Sequence, residues 1–217
     1  MKFKRKTVGL FGKYFTNQDI KKFSKNYNFI YVKEFEDYNN LKNTEYDIIF
    51  SYGYGKIFNN QFIKNCNCKI INFHGGYLPH GRGIYAQVWC LIMNKPTGFT
   101  VHEINNNEID TGKIIFKKQI LHSGDDTFET LFNKIKTSLD KYLLYNFENL
   151  IKGNFNYQEE EYPTTKCFKR KDSVKFEKFM INGWKTNIKE KTGKLFEFWL
   201  PQTRHHLDIH KAKFCFA

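Results

Sequence analysis

The chain has 217 residues, 41% hydrophobic and 26% charged, with 35 Lys+Arg against 22 Asp+Glu and a net charge of +13. That length carries one domain with its own core, or one domain plus a small appendage, and no apolar run approaches the ~18–20 residues of a membrane span. The basic start Met1-Lys2-Phe3-Lys4-Arg5-Lys6 lacks the apolar segment of a secretory signal, and Cys66, Cys68, Cys90, Cys167 and Cys215 are odd in number and scattered, so a reducing cytoplasmic setting is expected.

Thr7–Phe11 predicts a short apolar strand turning at Gly12; the GxGxxG spacing of a dinucleotide loop is absent, so Gly12 reads as a turn into a helix. Asn17–Asn26 predicts that helix, with Ile20, Phe23 and Tyr27 inward. Phe29–Val32 is a second strand, and Tyr46–Gly53 a third whose apolar middle suits burial on both faces. Asn59–Ile63 predicts a short helix and Cys68–His74 a central strand. This β-α-β-α-β order implies an α/β fold, a Rossmann-like, mostly parallel sheet flanked by helices. Ligands of such sheets sit beyond the carboxyl ends of the strands, which places Tyr52-Gly53-Tyr54-Gly55 and the Asn72–Gly83 loop at one cleft.

Ala86–Met93 predicts a helix with Val88, Leu91 and Ile92 inward. Phe99–Ile104 and Lys113–Leu121 predict two strands, joined by the polar Asn105–Glu108 connection and Ile109-Asp110-Thr111-Gly112. Asp126 and Glu129 offer a capping box for a long helix, in which Phe128, Leu131, Phe132, Ile135, Leu139, Tyr142, Leu143 and Leu150 recur at steps of three and four. That helix closes a catalytic domain of residues 1–152. Residues 153–217 form an extension, with an acidic run at Glu159–Glu161, a basic stretch at Lys166–Lys171 and one more helix expected over Phe176–Ile181. His206 and His210 near the end have the spacing of a metal pair, but no acidic or cysteine companion, so a mobile tail is favoured there and no metal site is expected.

On an extended strand alternate side chains share a face, so Asn72 and His74 project together, and the glycines and proline that follow turn the backbone over the sheet edge. With Asp110 they supply an amide donor, an imidazole and a carboxylate, which suits acyl-type transfer to an amine. Blander readings stand beside this one: Asn72 as a turn cap and His74 as a satisfied loop histidine; His102, between strand neighbours, reads as a residue supporting the site or as packing rather than as catalytic. Asp110-Thr111-Gly112 also spells the aspartic-protease turn, which needs a second aspartate from another β-rich lobe. The positive charge has three readings: a coding bias toward Lys and Asn, a polyanion partner, or a phosphate-bearing substrate. Lysines spread along the chain weigh against nucleic acid.

Asn72-x-His74, then Leu78-Pro79 and Arg82-Gly83, then Gly98-Phe99-Thr100-Val101-His102, then Ile109-Asp110-Thr111-Gly112 resemble the formyltransferases that use 10-formyltetrahydrofolate. The resemblance covers residues 46–150. It implies the formyltransferase fold, Asn72, His74 and Asp110 as catalytic residues, and 10-formyltetrahydrofolate as cosubstrate without a metal. Its pterin is expected between two turns, against Tyr52, Gly53, Tyr54, Ile57, Asn107 and Ile109. Gly75-Gly76 departs from the Pro-Ser or Pro-Gly common after the family's histidine.

Residues 151–217 are too few for the C-terminal domain of methionyl-tRNA formyltransferases. Lys13-Tyr14-Phe15 replaces the phosphate loop of glycinamide ribonucleotide formyltransferase. Gly76-Tyr77-Leu78-Pro79 with Arg82, Tyr85, Gln87 and Trp89 is most similar to the nucleotide-sugar N-formyltransferases, particularly those acting on dTDP-linked sugars. That resemblance implies a nucleotide-linked amino sugar as acceptor, in surface-polysaccharide assembly, with Gly76, Tyr77, Arg82, Tyr85, Gln87 and Trp89 as contacts; Arg82 reads as a phosphate ligand or a loop anchor, and one of Tyr85, Gln87 and Trp89 as core. It also implies a homodimer through the extension; the spread of lysines and the lack of a long apolar run leave neither nucleic acid nor membrane as an expected partner. The alternatives carried forward are the glycinamide ribonucleotide enzyme and a basic nucleic-acid-binding protein on the same fold.

Overall fold

A computed structural model describes residues 4–15, 20–34, 36, 45–159, 165–177, 180 and 182–189. Six strands, β1 (Lys6–Phe11), β2 (Tyr27–Val32), β3 (Ile48–Ser51), β4 (Lys69–His74), β5 (Gly98–Ile104) and β6 (Ile114–Gln119), form one sheet in the order β2-β1-β3-β4-β5-β6. The first four run parallel, and β5 and β6 return antiparallel. The mostly parallel α/β sheet expected from the sequence is therefore present, with an antiparallel edge.

Alternation along the strands divides the core in two. Val8, Leu10, Ile48, Phe50, Ile71, Phe73, Phe99 and Val101 face one side, where they meet α2 (Ala86–Ile92) and α3 (Phe128–Lys152). Phe11, Ile49 and Ile70 face the other, against Phe58 and the α1 helix (Asn60–Asn65) through Phe62. Asn72 and His74 share the parity of Ile70 and so lie on the α1 face. All seven residues of α2 are buried, more than its three apolar inward positions predict.

Several local expectations shift. Of the helix expected over 17–26, residues 17–19 lie outside the described residues; only Ile20 and Lys21 are helical, turns follow, and Tyr27 already belongs to β2. Phe23 is held by stacking on Phe147, centroids 4.3 Å apart. The capping box of α3 is built one residue later than expected. Thr127 accepts from the Thr130 N–H and the Thr130 hydroxyl accepts from the Thr127 N–H. Asp126 instead gathers the Ser123 N–H (2.8 Å), the Thr130 hydroxyl (2.9 Å) and Lys134 Nζ (2.7 Å).

Helix α4 spans Arg170–Glu177 and starts earlier than the helix expected over 176–181, because Asp172 accepts from the Lys169 N–H at its start (2.8 Å); residues 178, 179 and 181 lie outside the described residues. The described part of the extension folds back on the sheet domain, burying Phe168, Thr186 and Ile188. His205, His206, His210 and most of the acidic run lie outside the described residues. Among the described residues no helix is long and apolar enough to cross a membrane.

Candidate active site

β4 and β5 are antiparallel neighbours with Asn72 opposite His102 and His74 opposite Thr100, so four polar side chains share one face next to the apolar pairs that hold the strands. Thr100 secures the loop after β4. Its hydroxyl donates to the Gly76 carbonyl (2.8 Å) and accepts from the Leu78 N–H (3.0 Å). Gly76 is required there by space, since a Cβ would lie 2.5 Å from His74 Nε2 and 2.6 Å from the Ala86 Cβ.

The β5–β6 connection brings Asp110 back to this face, with Asp110 itself in the left-handed region at φ 53°. Two contacts fix the turn. The Asn106 side chain accepts from the Glu108 N–H (2.7 Å), and the Asn107 N–H donates to the Asn60 side chain at the head of α1 (3.0 Å). A side chain on Gly112 would run into the Glu103 carbonyl, so only glycine lets the chain pass from Asp110 into β6 at this closeness.

The three expected catalytic residues converge. His74 Nδ1 is 3.6 Å from Asp110 Oδ2, and Asn72 Nδ2 donates to Asp110 Oδ1 at 3.4 Å. The Gly83 N–H completes the carboxylate at 2.8 Å. Burial alone would raise the Asp110 pKa, but His74, the hydrogen bond and charge of His102 and the Gly83 N–H outweigh it and hold the carboxyl at about 2. His74 Nε2 donates to the Gly81 carbonyl at 2.5 Å, so both ring nitrogens already face acceptors.

His102, read from sequence as a supporting or packing residue rather than a catalytic one, touches both Asn72 and Asp110. It is 1% exposed, with Nε2 3.1 Å from Asn72 Nδ2 and 3.3 Å from Asp110 Oδ1, and Nδ1 3.2 Å from the Glu103 carbonyl. With Nδ1–H donated to that carbonyl, a neutral ring accepts from Asn72; protonated on both nitrogens, it donates to Asp110. The alternation of polar Thr100 and His102 with apolar Phe99 and Val101 was the available sequence signal.

The other expected contacts divide. Gly53, Tyr54 and Ile57 sit in one turn, and Asn107 and Ile109 in the next, the two linked through α1 by the Asn60–Asn107 contact. The Tyr52 ring points away from that slot, its hydroxyl donating to Asp140 on α3 (2.9 Å), because the alternation of β3 aims it at the opposite core. Tyr54 stacks on Phe58 (5.2 Å) and donates to the Glu36 carbonyl (2.6 Å).

Arg82 is a loop anchor rather than a phosphate ligand: Nε donates to the Ile109 carbonyl (3.0 Å) and Nη1 to the Thr165 carbonyl (2.9 Å). Trp89 is 1% exposed and stacked on Phe168 at 4.0 Å, and Gln87 is buried, so helix α2 turns both inward and away from an open cleft. Tyr85 remains at the rim, 5.7 Å from the Trp184 ring, and Tyr77 lies beneath Lys117 Nζ at 4.8 Å.

The family model described as formyl transferase matches residues 13–145. The chain is 38% identical over 101 residues to the methionyl-tRNA formyltransferase of Buchnera aphidicola, covering 46% of this chain and 31% of the relative. It is 26% identical over 110 residues to the dTDP-4-amino-4,6-dideoxyglucose formyltransferase of Mycobacterium bovis, covering 51% and 46%. The chain thus spans less than half the length of these two curated relatives. Among solved structures, its fold is similar to that of the formyltransferase PseJ from Anoxybacillus kamchatkensis, in complex with UDP-4,6-dideoxy-4-formamido-L-AltNAc and tetrahydrofolate. The TM-score is 0.78 at 23% identity, over 87% of this chain and 99% of that one.

Proposed function

The chain belongs to the formyl transferase family, and on that footing we propose that it is an N-formyltransferase moving the formyl group of 10-formyltetrahydrofolate to the amine of a nucleotide-linked amino sugar. The observation that carries the reading is the convergence of Asn72 and His74 from strand β4 and Asp110 from the β5–β6 connection onto one point.

Attack of the amine on the formyl carbon makes the formyl oxygen an oxyanion, and the C–N bond to the folate then breaks. Asn72 Nδ2 and the His74 imidazole are the donors for that oxygen, each such donor lowering the barrier by ~3–4 kcal/mol. The formyl oxygen takes the place that the Gly81 carbonyl holds on His74 Nε2. Asp110, with its pKa held at about 2, is a weak proton acceptor and a strong fixed charge. It orients His74 and stabilises the developing ammonium, whose proton leaves through water to the departing folate nitrogen. The paired turns at 52–57 and 105–110 offer backbone amides and carbonyls to a pterin edge, which suits a ligand read by its ring hydrogen bonds.

Support for a nucleotide-linked acceptor comes from the rim beside Gly83. Tyr85 and Phe132 flank Trp184 at 5.7 and 6.1 Å, and Tyr14 lies 6.4 Å from Phe132 with Lys13 and Lys136 each 5.4 Å from its ring. Aromatic faces for a base are what such an acceptor needs; the two ammonium groups are each paired with a carboxylate at 2.7 Å, Lys13 with Glu34 and Lys136 with Asp140, and would exchange it for a diphosphate. A methionyl-tRNA acceptor is the second reading, favoured by the 38% identical relative. Incubating the protein with 10-formyltetrahydrofolate and, separately, uridine- or thymidine-diphosphate amino sugars, glycinamide ribonucleotide and methionyl-tRNA distinguishes them. One formyl mass gained on a sugar alone supports the proposal; transfer only to either of the other two overturns it.

A further inference from the structure

The Gly83 N–H that binds Asp110 belongs to the Arg82–Gly83 peptide, and the same peptide's carbonyl is held from outside the sheet domain. The Phe168 N–H donates to the Arg82 carbonyl (3.1 Å), and the Phe168 carbonyl accepts from the Ile84 N–H (3.1 Å), making a short parallel bridge around Gly83. A trans peptide is planar, with its C=O and N–H pointing in opposite directions. Phe168 pulling on one side therefore aims the other side at the carboxylate. Gly83 has φ 90°, and a side chain there would strike the Phe168 carbonyl, so the approach has no slack.

The Phe168 backbone is in turn pinned by its ring, 1% exposed and lying flat on Trp89 with 8° between planes. Arg82 adds a second tie, joining the Thr165 carbonyl to that of Ile109, the residue before Asp110. We infer that the segment 165–168, beyond the family-matched span, acts as a strap that sets the Gly83 amide on Asp110, with Phe168 as a positioning residue for the transfer site. The kinetic part rests on the formyl-transfer reading; the strap itself does not.

Amide hydrogen exchange by NMR tests the strap without any substrate. In the unaltered protein the Gly83, Ile84 and Phe168 amides should exchange at matched rates, through one shared opening, while β3 and β4 amides exchange more slowly. A Gly83 amide protected far longer than those of Ile84 and Phe168 overturns the proposal, because something else then holds it. Phe168→Ala should raise Gly83 exchange at least tenfold and lower kcat about a hundredfold, with KM for donor and acceptor little changed, as expected when a reacting group is misplaced. Phe168→Leu keeps apolar volume and should fall between. If the alanine variant does not fold, the leucine variant and the unaltered protein decide. A folded variant with faster Gly83 exchange and no transfer in any form of the protein would refute the function and leave the strap standing. Unchanged Gly83 protection in folded variants refutes the strap, whatever happens to turnover.

Discussion

Asn72 and His102 face each other in register across β4 and β5, with Nδ2 and Nε2 3.1 Å apart. The pairing depends on the change of direction in the sheet. β4 is the last of the parallel strands, and β5 runs back along it, so that His74 at the carboxyl end of β4 meets Thr100 and Asn72 meets His102. The imidazole then reaches both the Asn72 amide and the Asp110 carboxylate, so strand β4 and the β5–β6 connection are referenced to one buried ring.

His102→Ala removes that reference. Asn72 and Asp110 each lose a buried polar neighbour, which costs about 1–3 kcal/mol of stability. Transfer should fall by about ten- to a hundredfold, since the donor and the carboxylate lose their common support. Urea denaturation and initial rates measure the two effects; a variant as stable and as active as the parent would mean the ring only fills space.

Asp110→Asn and His74→Ala should each reduce transfer by at least about 10²–10³, the scale of losing one preorganised electrostatic partner. Circular dichroism should remain that of the parent, because neither side chain contributes to the two apolar clusters. Substantial turnover by either variant would remove the residue from the assigned chemistry.

The depressed Asp110 pKa makes a pH prediction. Its folded value, about 2, lies below the ordinary 3.8, so the ionised carboxyl adds stability that is fully present above about pH 4 and is lost as pH falls through about 2. The difference corresponds to about 2 kcal/mol. Asp110→Asn should therefore trail the parent by about that amount at neutral pH, and the gap should close between about pH 4 and 2. A gap that persists undiminished at pH 2 would show that charge is not its origin.

Much of this organisation was readable from local pattern. The alternation of Ile70, Asn72 and His74 gave the face of the site, and the steps of three and four from Phe128 gave the long helix. The residues that escaped act through backbone or long-range register. Gly83 contributes an N–H, Gly81 a carbonyl, and Phe168 a peptide reaching from the far side of α3. Side-chain identity encodes none of these. Arg82, Gln87 and Trp89 were ambiguous for the converse reason: polar and aromatic types near the cleft read equally as ligands or as anchors and core, and only the structure shows α2 buried all round and Arg82 tying backbone carbonyls together.

Two glycines near the site should respond very unequally to alanine. Gly112 lies in the turn between Asp110 and β6, where an added Cβ would overlap the Glu103 carbonyl, and the Glu103 N–H is itself bonded to the Lys113 carbonyl (2.9 Å). Rigid backbone on both sides cannot yield as a flexible side chain would, so β5 and the Asp110 turn must separate. Overpacking of this kind costs about 1–3 kcal/mol or more, and even a 1 Å displacement of the carboxylate lowers transfer about a hundredfold. Gly75 follows His74 directly, yet nothing lies within 4 Å of its added Cβ. Gly75→Ala should stay within about 0.5 kcal/mol of the parent. Thermal unfolding and initial rates of the two variants side by side give the answer. Equal losses would mean that proximity to His74, rather than the close approach at Glu103, governs which glycine the site requires.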